Sequence, residues 1–225
     1  VIRSTVLGVK NLSIAEIQKH FSYPVYVEYG ANAAGFGTVW RSKELKDAVY
    51  VIVTNNGVAG SIILNNEIYH GRTGRAGAFG HITLNPSGRK CFCGACGCWS
   101  AYNALNALTG LDETDLDGFF EKVNNEDPDA IAKWDEYLTY FADGLSTVSM
   151  SFDIDIVIGG PLAVYLEPWL DTIISKMQSR PTLNGENISI HLDTKSESPM
   201  AEGVALMIVA KFLNDELDNF RFDEL

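Results

Sequence analysis

Four cysteines fall within eight residues of this chain, namely Cys91, Cys93, Cys96 and Cys98. A disulfide framework spreads its cysteines so that the bonds close longer loops, whereas thiols this close together are typical of a metal site in a reducing compartment. His81 precedes Cys91 by ten residues. One imidazole and three thiolates complete a tetrahedral zinc site with no open position, so the sequence predicts a structural zinc in the loop 80–98.

The residues alone leave two points of this prediction open. Cys96 competes with its neighbours as a ligand, and a cluster of free or redox-active thiols is the alternative to a metal site. Gly94 and Gly97 favour metal binding, because glycine lets a short loop fold back until several sulfur atoms converge.

The charge of the chain excludes several classes of function. It has 17 Lys and Arg against 29 Asp and Glu, a formal net charge of −12. Partners that are rich in phosphate require clustered cations, so these 225 residues are not expected to bind nucleic acid or an anionic membrane. Most of the excess lies in segments 111–129 and 214–225, which we interpret as solvated acidic faces.

The sequence also bears on location and completeness. Its apolar runs are too short to cross a bilayer, and no basic stretch leads into an apolar block as in a signal peptide. We expect a cytoplasmic protein, because the clustered cysteines indicate a reducing compartment in which thiols stay free. Because the chain begins with Val1, we expect it to be a piece of a longer one.

The apolar patterns predict an α/β domain with a mixed sheet and no internal boundary. Continuous β-branched runs at 47–54 and 154–160 predict strands buried on both faces. Further strands are predicted at 24–30 and 187–192, and a hairpin at 61–71 that turns at Asn65 and Asn66. Predicted helices cover 14–20, 99–109, 130–150, 161–178 and 201–213.

The stretch AGAFGHITLNPSGRKCFCGACGCWS resembles the signature of the ROK family of repressors and sugar kinases. The segments PVYVEYGANAAGFG, TNNGVAGSIILNNEIYHG and DIDIVIGGPLA are similar to further family motifs in the same order. The resemblance implies an actin-like ATPase (ribonuclease H-like) fold, mostly its larger C-terminal domain, in which a mixed sheet is flanked by helices. It also assigns zinc to His81, Cys91, Cys93 and Cys98, with Cys96 as an extra thiol.

Departures from the family pattern carry the functional prediction. Tyr29 and Gly30 replace the Asn and Asp of the kinase motif, whose Asp acts as the general base on the sugar hydroxyl. Ala78 and Ser100 replace two sugar-binding Glu residues. The glycine-rich turn also changes, at four positions: Asn55, Asn56, Ala59 and Ser61.

These losses predict that residues 1–225 are not a sugar kinase. The prediction is an effector-binding and oligomerisation domain of a ROK transcriptional regulator, without the upstream DNA-binding domain and the first half of the nucleotide fold. We expect a sugar or sugar derivative as effector, a homodimer or higher oligomer, and DNA contact only through the upstream domain. The expected ligand-binding residues are Tyr29, Gly30, Asn32, Ala78, His81 and Ser100. Gly30 and Ala78 are expected to open space for a larger or differently charged ligand.

Two alternatives remain open at this point. One is an active ROK kinase that phosphorylates a hexose or amino sugar and uses Glu28 or another acid. A strand would place Glu28 on the same face as Gly30, but displaced from it by the rise of two residues. The other is a structural zinc domain that binds a protein partner.

The isolated histidines His20, His70 and His191 are interpreted as surface or packing residues.

Overall fold

The computed structural model describes residues 2–4, 9–110, 115–183 and 187–219. Groups of strands alternate with groups of helices along these residues. The strands are β1 (Ile2–Ser4), β2 (Val9–Leu12), β3 (Ala48–Thr54), β4 (Gly57–Leu64), β5 (Glu67–Ile68), β6 (Asp155–Gly159) and β7 (Ile190–Asp193). The helices are α1 (Ile14–Gln18), α2 (Gly30–Arg41), α3 (Ser100–Asn103), α4 (Asn106–Thr109), α5 (Leu116–Asn124), α6 (Pro128–Phe152), α7 (Ala163–Leu166), α8 (Leu170–Gln178) and α9 (Pro199–Asn219).

A five-stranded mixed sheet organises the chain, in the order β5-β4-β3-β6-β7. The pairs β3–β4 and β4–β5 are antiparallel, whereas β3–β6 and β6–β7 are parallel. Strands β3 and β6 confirm the buried strands predicted at 47–54 and 154–160. The predicted hairpin turn is also confirmed, because Asn65 and Asn66 both adopt positive φ between β4 and β5.

Helices cover both faces of the sheet. Alternate residues of β3 supply the two cores: Val49, Val51 and Val53 pack with α4 to α8 on one face. Tyr50 and Ile52 pack against α2 on the other face. Because every side chain of β3 except that of its last residue is buried, the strand needs apolar residues at consecutive positions. The mixed α/β sheet flanked by helices is therefore confirmed.

Helix α9 lies against α2 through a close contact between two glycines. A β-carbon on Gly37 would stand 2.9 Å from the Cα of Gly203, and one on Gly203 would stand 1.9 Å from the carbonyl oxygen of Ala33. Next to this contact, the buried carboxylate of Asp193 accepts a hydrogen bond from Thr38 at 2.5 Å. Arg41 lies 3.4 Å from the same carboxylate. These contacts tie α2 to the end of β7 and fix the place of α9.

The strand predicted at 24–30 is absent, which corrects the sequence interpretation. Residues 24–29 pair with none of the described strands, and α2 begins at Gly30. The valines and tyrosines of this segment favour a strand. Backbone groups in and just before the segment bond instead to the side chain of Gln18. That amide donates to the carbonyls of Phe21 and Tyr23 and accepts from the N–H of Val25. Glu28 therefore does not share a strand face with Gly30.

Several predicted elements have different bounds. The helix predicted at 99–109 is divided into α3 and α4, because the N–H groups of Leu105 and Asn106 bond to carbonyls at the β3–β4 turn. Around Pro168, a 3₁₀ turn separates α7 from α8 within the helix predicted at 161–178. Strand β7 begins three residues later than predicted, at Ile190. Among the described helices, none is long and apolar enough to cross a membrane.

Candidate metal and ligand sites

Four side chains with metal-binding atoms converge at one end of the molecule: His81, Cys91, Cys93 and Cys98. Their ligand atoms all lie within 4.8 Å of one another. The Sγ atoms of Cys93 and Cys98 are 3.7 Å apart, and Cys91 Sγ is 3.8 Å from His81 Nδ1. Ligands at zinc bond lengths in a tetrahedron stand about 3.8 Å apart, so this donor set fits a closed zinc site. Cys96 lies outside the group.

Glycine conformation and backbone bonds bring these ligands together. Gly94 and Gly97 adopt φ values of 96° and 75°, which side-chain-bearing residues rarely reach. A β-carbon on Gly97 would stand 1.6 Å from the carbonyl oxygen of Asn85, so only glycine fits there. The N–H of Cys91 donates to the carbonyl of Ala95, which closes the turn that carries Cys91 and Cys93.

The thiols differ in their electrostatic environment. Burial raises the pKa of the Cys91 thiol and raises that of Cys98 to about 12. A hydrogen bond from the backbone at Ala95 lowers the pKa of the exposed Cys93. Because thiolates are the ligand form, a metal that binds here must displace protons from Cys91 and Cys98.

The loop is attached to α6 by one arginine and a pair of aromatic rings. The guanidinium of Arg89 donates to both carboxylate oxygens of Glu136, at 2.9 Å each. It also lies 4.9 Å from the centre of the Tyr102 ring. Tyr102 in turn stacks on Tyr140. Tyr102 and the neighbouring Trp99 are buried, so both are core residues.

Glu28 organises the start of α2. Its Oε1 accepts hydrogen bonds from the backbone N–H of Tyr29 at 2.7 Å and from Nδ2 of Asn32 at 2.8 Å. Its Oε2 lies 2.8 Å from Nε2 of His70. Burial opposes ionisation of Glu28, but the bonds from His70, Asn32 and Tyr29 outweigh it and lower its pKa. The carboxylate is thus held in its charged, fully hydrogen-bonded form.

Asn32 keeps one unused polar atom in this arrangement. The residue is 4% exposed, and its Oδ1 has no hydrogen-bond partner among the described residues. Because Glu28 accepts only from an N–H, it fixes the orientation of the amide and leaves Oδ1 as the free acceptor. A buried acceptor without a partner is costly, which makes Asn32 a candidate contact for a ligand hydroxyl.

Gly30 does not open the space expected from the sequence. A β-carbon at this position would stand 2.7 Å from Sδ of Met200, at the start of α9. The methionine therefore fills the volume beside the glycine, which corrects the expectation of extra room for a ligand. Sequence reasoning missed this contact, because nothing in either segment indicates that α9 returns to the start of α2.

Ser100 is engaged with the protein backbone. Its Oγ accepts from the N–H of Val58 at 3.0 Å and lies 3.3 Å from the carbonyl oxygen of the same residue. The hydroxyl thus joins α3 to β4. Ala78 is exposed and immediately precedes the 3₁₀ turn Phe79–His81, which leads into the metal loop.

Two cavities lie near these residues, and neither unites all of the predicted ligand contacts. One of about 430 Å³ is lined by Ser100 and Cys91, together with Asn56, Lys90 and Phe92. A larger groove of about 800 Å³ runs between α2, the β4–β5 turn and α9. His70 lines this groove, but Tyr29, Gly30 and Asn32 do not.

Two of the isolated histidines have acidic partners that the sequence did not reveal. His70 pairs with Glu28, and His191 lies 3.3 Å from Asp155 on the neighbouring strand. His70 follows β5, and its contact with Glu28 depends on how the sheet packs against α2, which the sequence does not show.

Comparison with known proteins defines the class to which this fold and metal loop belong. A sequence model of the ROK family matches residues 5–204. The chain is 33% identical over 81 residues to a xylose repressor of Bacillus subtilis (strain 168), a match that covers 36% of this chain and 21% of the repressor. It is 29% identical over 177 residues to an N-acetylmannosamine kinase of Haemophilus influenzae (strain PittEE), covering 75% of this chain and 58% of the kinase.

The fold agrees with a solved relative. The structure of a ROK family glucokinase from Streptomyces griseus, in complex with glucose and AMPPNP, matches with a TM-score of 0.74 at 25% identity. The match covers 86% of this chain and 70% of the glucokinase. The chain belongs to the ROK family and has its actin-like ATPase fold. Its relatives include both repressors and sugar kinases.

Proposed function

We propose that residues 1–225 are the effector-sensing part of a ROK-family transcriptional regulator. In this proposal the chain binds a sugar or sugar derivative and does not phosphorylate it. A structural zinc, held by His81, Cys91, Cys93 and Cys98, fixes the loop beside the ligand site. The domain also mediates homodimer or higher assembly, and DNA is bound through residues outside this chain.

The observation that carries the proposal is the contact between Gly30 and Met200. At the position where the kinase motif has its general base, this chain has no side chain, and a methionine sulfur stands beside the empty position. Glu28 is a poor substitute, because its hydrogen bonds stabilise the carboxylate and weaken it as a proton acceptor. Phosphoryl transfer needs a group that orients the hydroxyl nucleophile and accepts its proton.

Asn32 supports the sensing half of the proposal. Its buried Oδ1 accepts no hydrogen bond from any described residue, and Glu28 sets the orientation of the amide in advance. Preorganised polar groups of this kind are typical of small-molecule sites. A sugar hydroxyl that donates to Oδ1 would remove the cost of leaving this acceptor unpaired.

Calorimetric titration tests the binding function with a panel of sugars, sugar phosphates and sugar acids. We expect at least one to bind, and Asn32→Ala to weaken that binding roughly tenfold, about the worth of one hydrogen bond to a buried acceptor. Asn124→Ala is the matched control, because this asparagine is exposed on α5. If the entire panel fails to bind, the sensing function is wrong.

The second candidate function is a sugar kinase that uses Glu28. It is favoured by the identity to the N-acetylmannosamine kinase and by the position of this carboxylate two residues before Gly30. It requires sugar-dependent ATP turnover that Glu28→Gln abolishes.

A further inference from the structure

The loop 70–77 joins the two parts of the proposed ligand site, and we call it the arginine loop. At one end His70 contacts Glu28, which also holds Tyr29 and Asn32. At the other end Gly77 lies against β4, where an added β-carbon would stand 2.2 Å from the carbonyl oxygen of Gly60. The chain then continues directly into Ala78 and His81.

The backbone of the arginine loop is folded back on itself. The N–H of Ala76 donates to the carbonyl of His70 at 3.3 Å, which closes the loop. Gly71, Gly74 and Gly77 all adopt positive φ, between 68° and 81°. The side chains of Arg72 and Arg75 are both exposed on this turn.

These two arginines differ from the other arginines whose side chains the structure describes. Arg41 pairs with Asp193 and Glu202, Arg89 pairs with Glu136, and Arg180 pairs with Asp143. Within the described residues, neither Arg72 nor Arg75 has an ion pair or a side-chain hydrogen bond, although the chain carries 29 acidic residues.

The proposed ligand site carries less negative charge than the family motif would give it. Relative to the family motif, the acidic positions at 30, 78 and 100 are occupied by Gly30, Ala78 and Ser100. Two guanidinium groups that have no partner in the described part of the chain stand on the loop that leads from the contact of His70 with Glu28 to Ala78. A net charge of −12 repels anions at long range, so an anionic ligand needs local cations of this kind.

We propose that the effector is an anionic sugar derivative, either a phosphate monoester or a sugar acid, whose charged group is bound by Arg72 and Arg75. The planar guanidinium matches both carboxylate and phosphate oxygens through paired N–H donors. The sugar hydroxyls then face Asn32. This inference rests on the proposed function, because it names the class of ligand for the same site.

The test is calorimetric titration of the full chain with four kinds of probe. These are neutral sugars (glucose, xylose and N-acetylmannosamine), the 6-phosphates of glucose and N-acetylmannosamine, glucuronate, and inorganic phosphate. Each is titrated into the wild type, Arg72→Gln and Arg75→Gln. The matched control is Lys43→Gln/Lys46→Gln, which removes two charges near the far end of α2, roughly 18 Å along the helix from Gly30. Thermal unfolding verifies that each variant is folded.

We expect one anionic sugar to bind, with a loss of roughly tenfold or more for each arginine variant and little change in the control. Raised salt weakens this binding. The phosphate esters and glucuronate distinguish the two forms of anion. Neutral sugars that bind as tightly, with no effect of either arginine variant, would overturn the inference and leave the sensing function intact. Inorganic phosphate that binds as tightly as its esters, or silence of every probe, would overturn the sugar-sensing function itself.

Discussion

The Sδ atom of Met200 packs directly against Gly30: a β-carbon added to this glycine would stand only 2.7 Å from the sulfur. The start of α9 thus closes over the first residue of α2, at the position where the kinase motif has its general base. Met200 therefore packs beside the position at which the kinase motif has its Asp and this chain has Gly30. This contact makes α9 a direct neighbour of the proposed ligand site.

A double-mutant cycle measures this contact. Alanine favours a helix by up to about 1 kcal/mol over glycine, but in the wild type the new β-carbon must displace Met200. We therefore expect Gly30→Ala to leave the free energy of unfolding nearly unchanged in the wild type. In the Met200→Ala background it should increase stability by up to about 1 kcal/mol, the difference between the two residues inside a helix, because Gly30 is the first residue of α2. Urea unfolding of the four proteins gives the coupling, and equal effects in both backgrounds would show that the two residues do not interact.

Replacement of Cys98 and of Cys96 should affect zinc binding differently. Cys98→Ser removes one of the four converging ligands, so we expect loss of zinc and a fall in stability of several kcal/mol. Cys96→Ser should retain one zinc per chain, because this thiol lies outside the group. Elemental analysis and thermal unfolding provide the measurements. Equal zinc loss in the two variants contradicts the ligand assignment.

Two glycines of the metal loop should respond unequally to alanine. Both adopt positive φ, which costs about 1–2 kcal/mol for a residue with a side chain. Around Gly94 an added β-carbon meets no atom within 4 Å, whereas at Gly97 it would overlap the carbonyl oxygen of Asn85. We expect Gly94→Ala to cost about 1–2 kcal/mol, and Gly97→Ala about 3 kcal/mol or more. Similar losses in urea unfolding would contradict the described packing of Gly97 on Asn85.

The stability provided by Glu28 should depend on pH. Because its pKa in the folded chain lies below the usual 4.5, its hydrogen bonds stabilise the fold fully above that pH. This contribution is lost as the pH falls through the lowered value. Glu28→Gln should therefore be less stable than the wild type at pH 7, and the difference should shrink in acid. A difference that stays constant from pH 7 to pH 3 would contradict the lowered pKa.

How far the sequence predicts this molecule depends on the range of the interactions involved. Strand β3 was predictable because a run buried on both faces is apolar at every position. The convergence of His81 with three thiols was predictable because the ligands are close in sequence and glycines allow the turn. Both signals are local.

The features that the sequence did not predict have two causes. Residues 24–29 have the composition of a strand, yet no described strand pairs with them, and the side chain of Gln18 binds the nearby backbone at Phe21, Tyr23 and Val25. The other features depend on contacts between distant segments, such as the contact of Met200 with Gly30. Likewise, only the folded chain reveals that Arg72 lacks, within the described residues, an acidic partner such as Arg89 has. Such partners are set by tertiary packing, which no single stretch of sequence encodes.

If the proposed function is right, this chain binds a sugar without phosphorylating it. A coupled assay of ADP release, with ATP and the sugar that binds in calorimetry, tests this. We expect the sugar to cause no increase over the rate without sugar, in the wild type and in Glu28→Gln alike. Sugar-dependent ADP release by the wild type that disappears in Glu28→Gln would contradict the proposed function and establish a kinase.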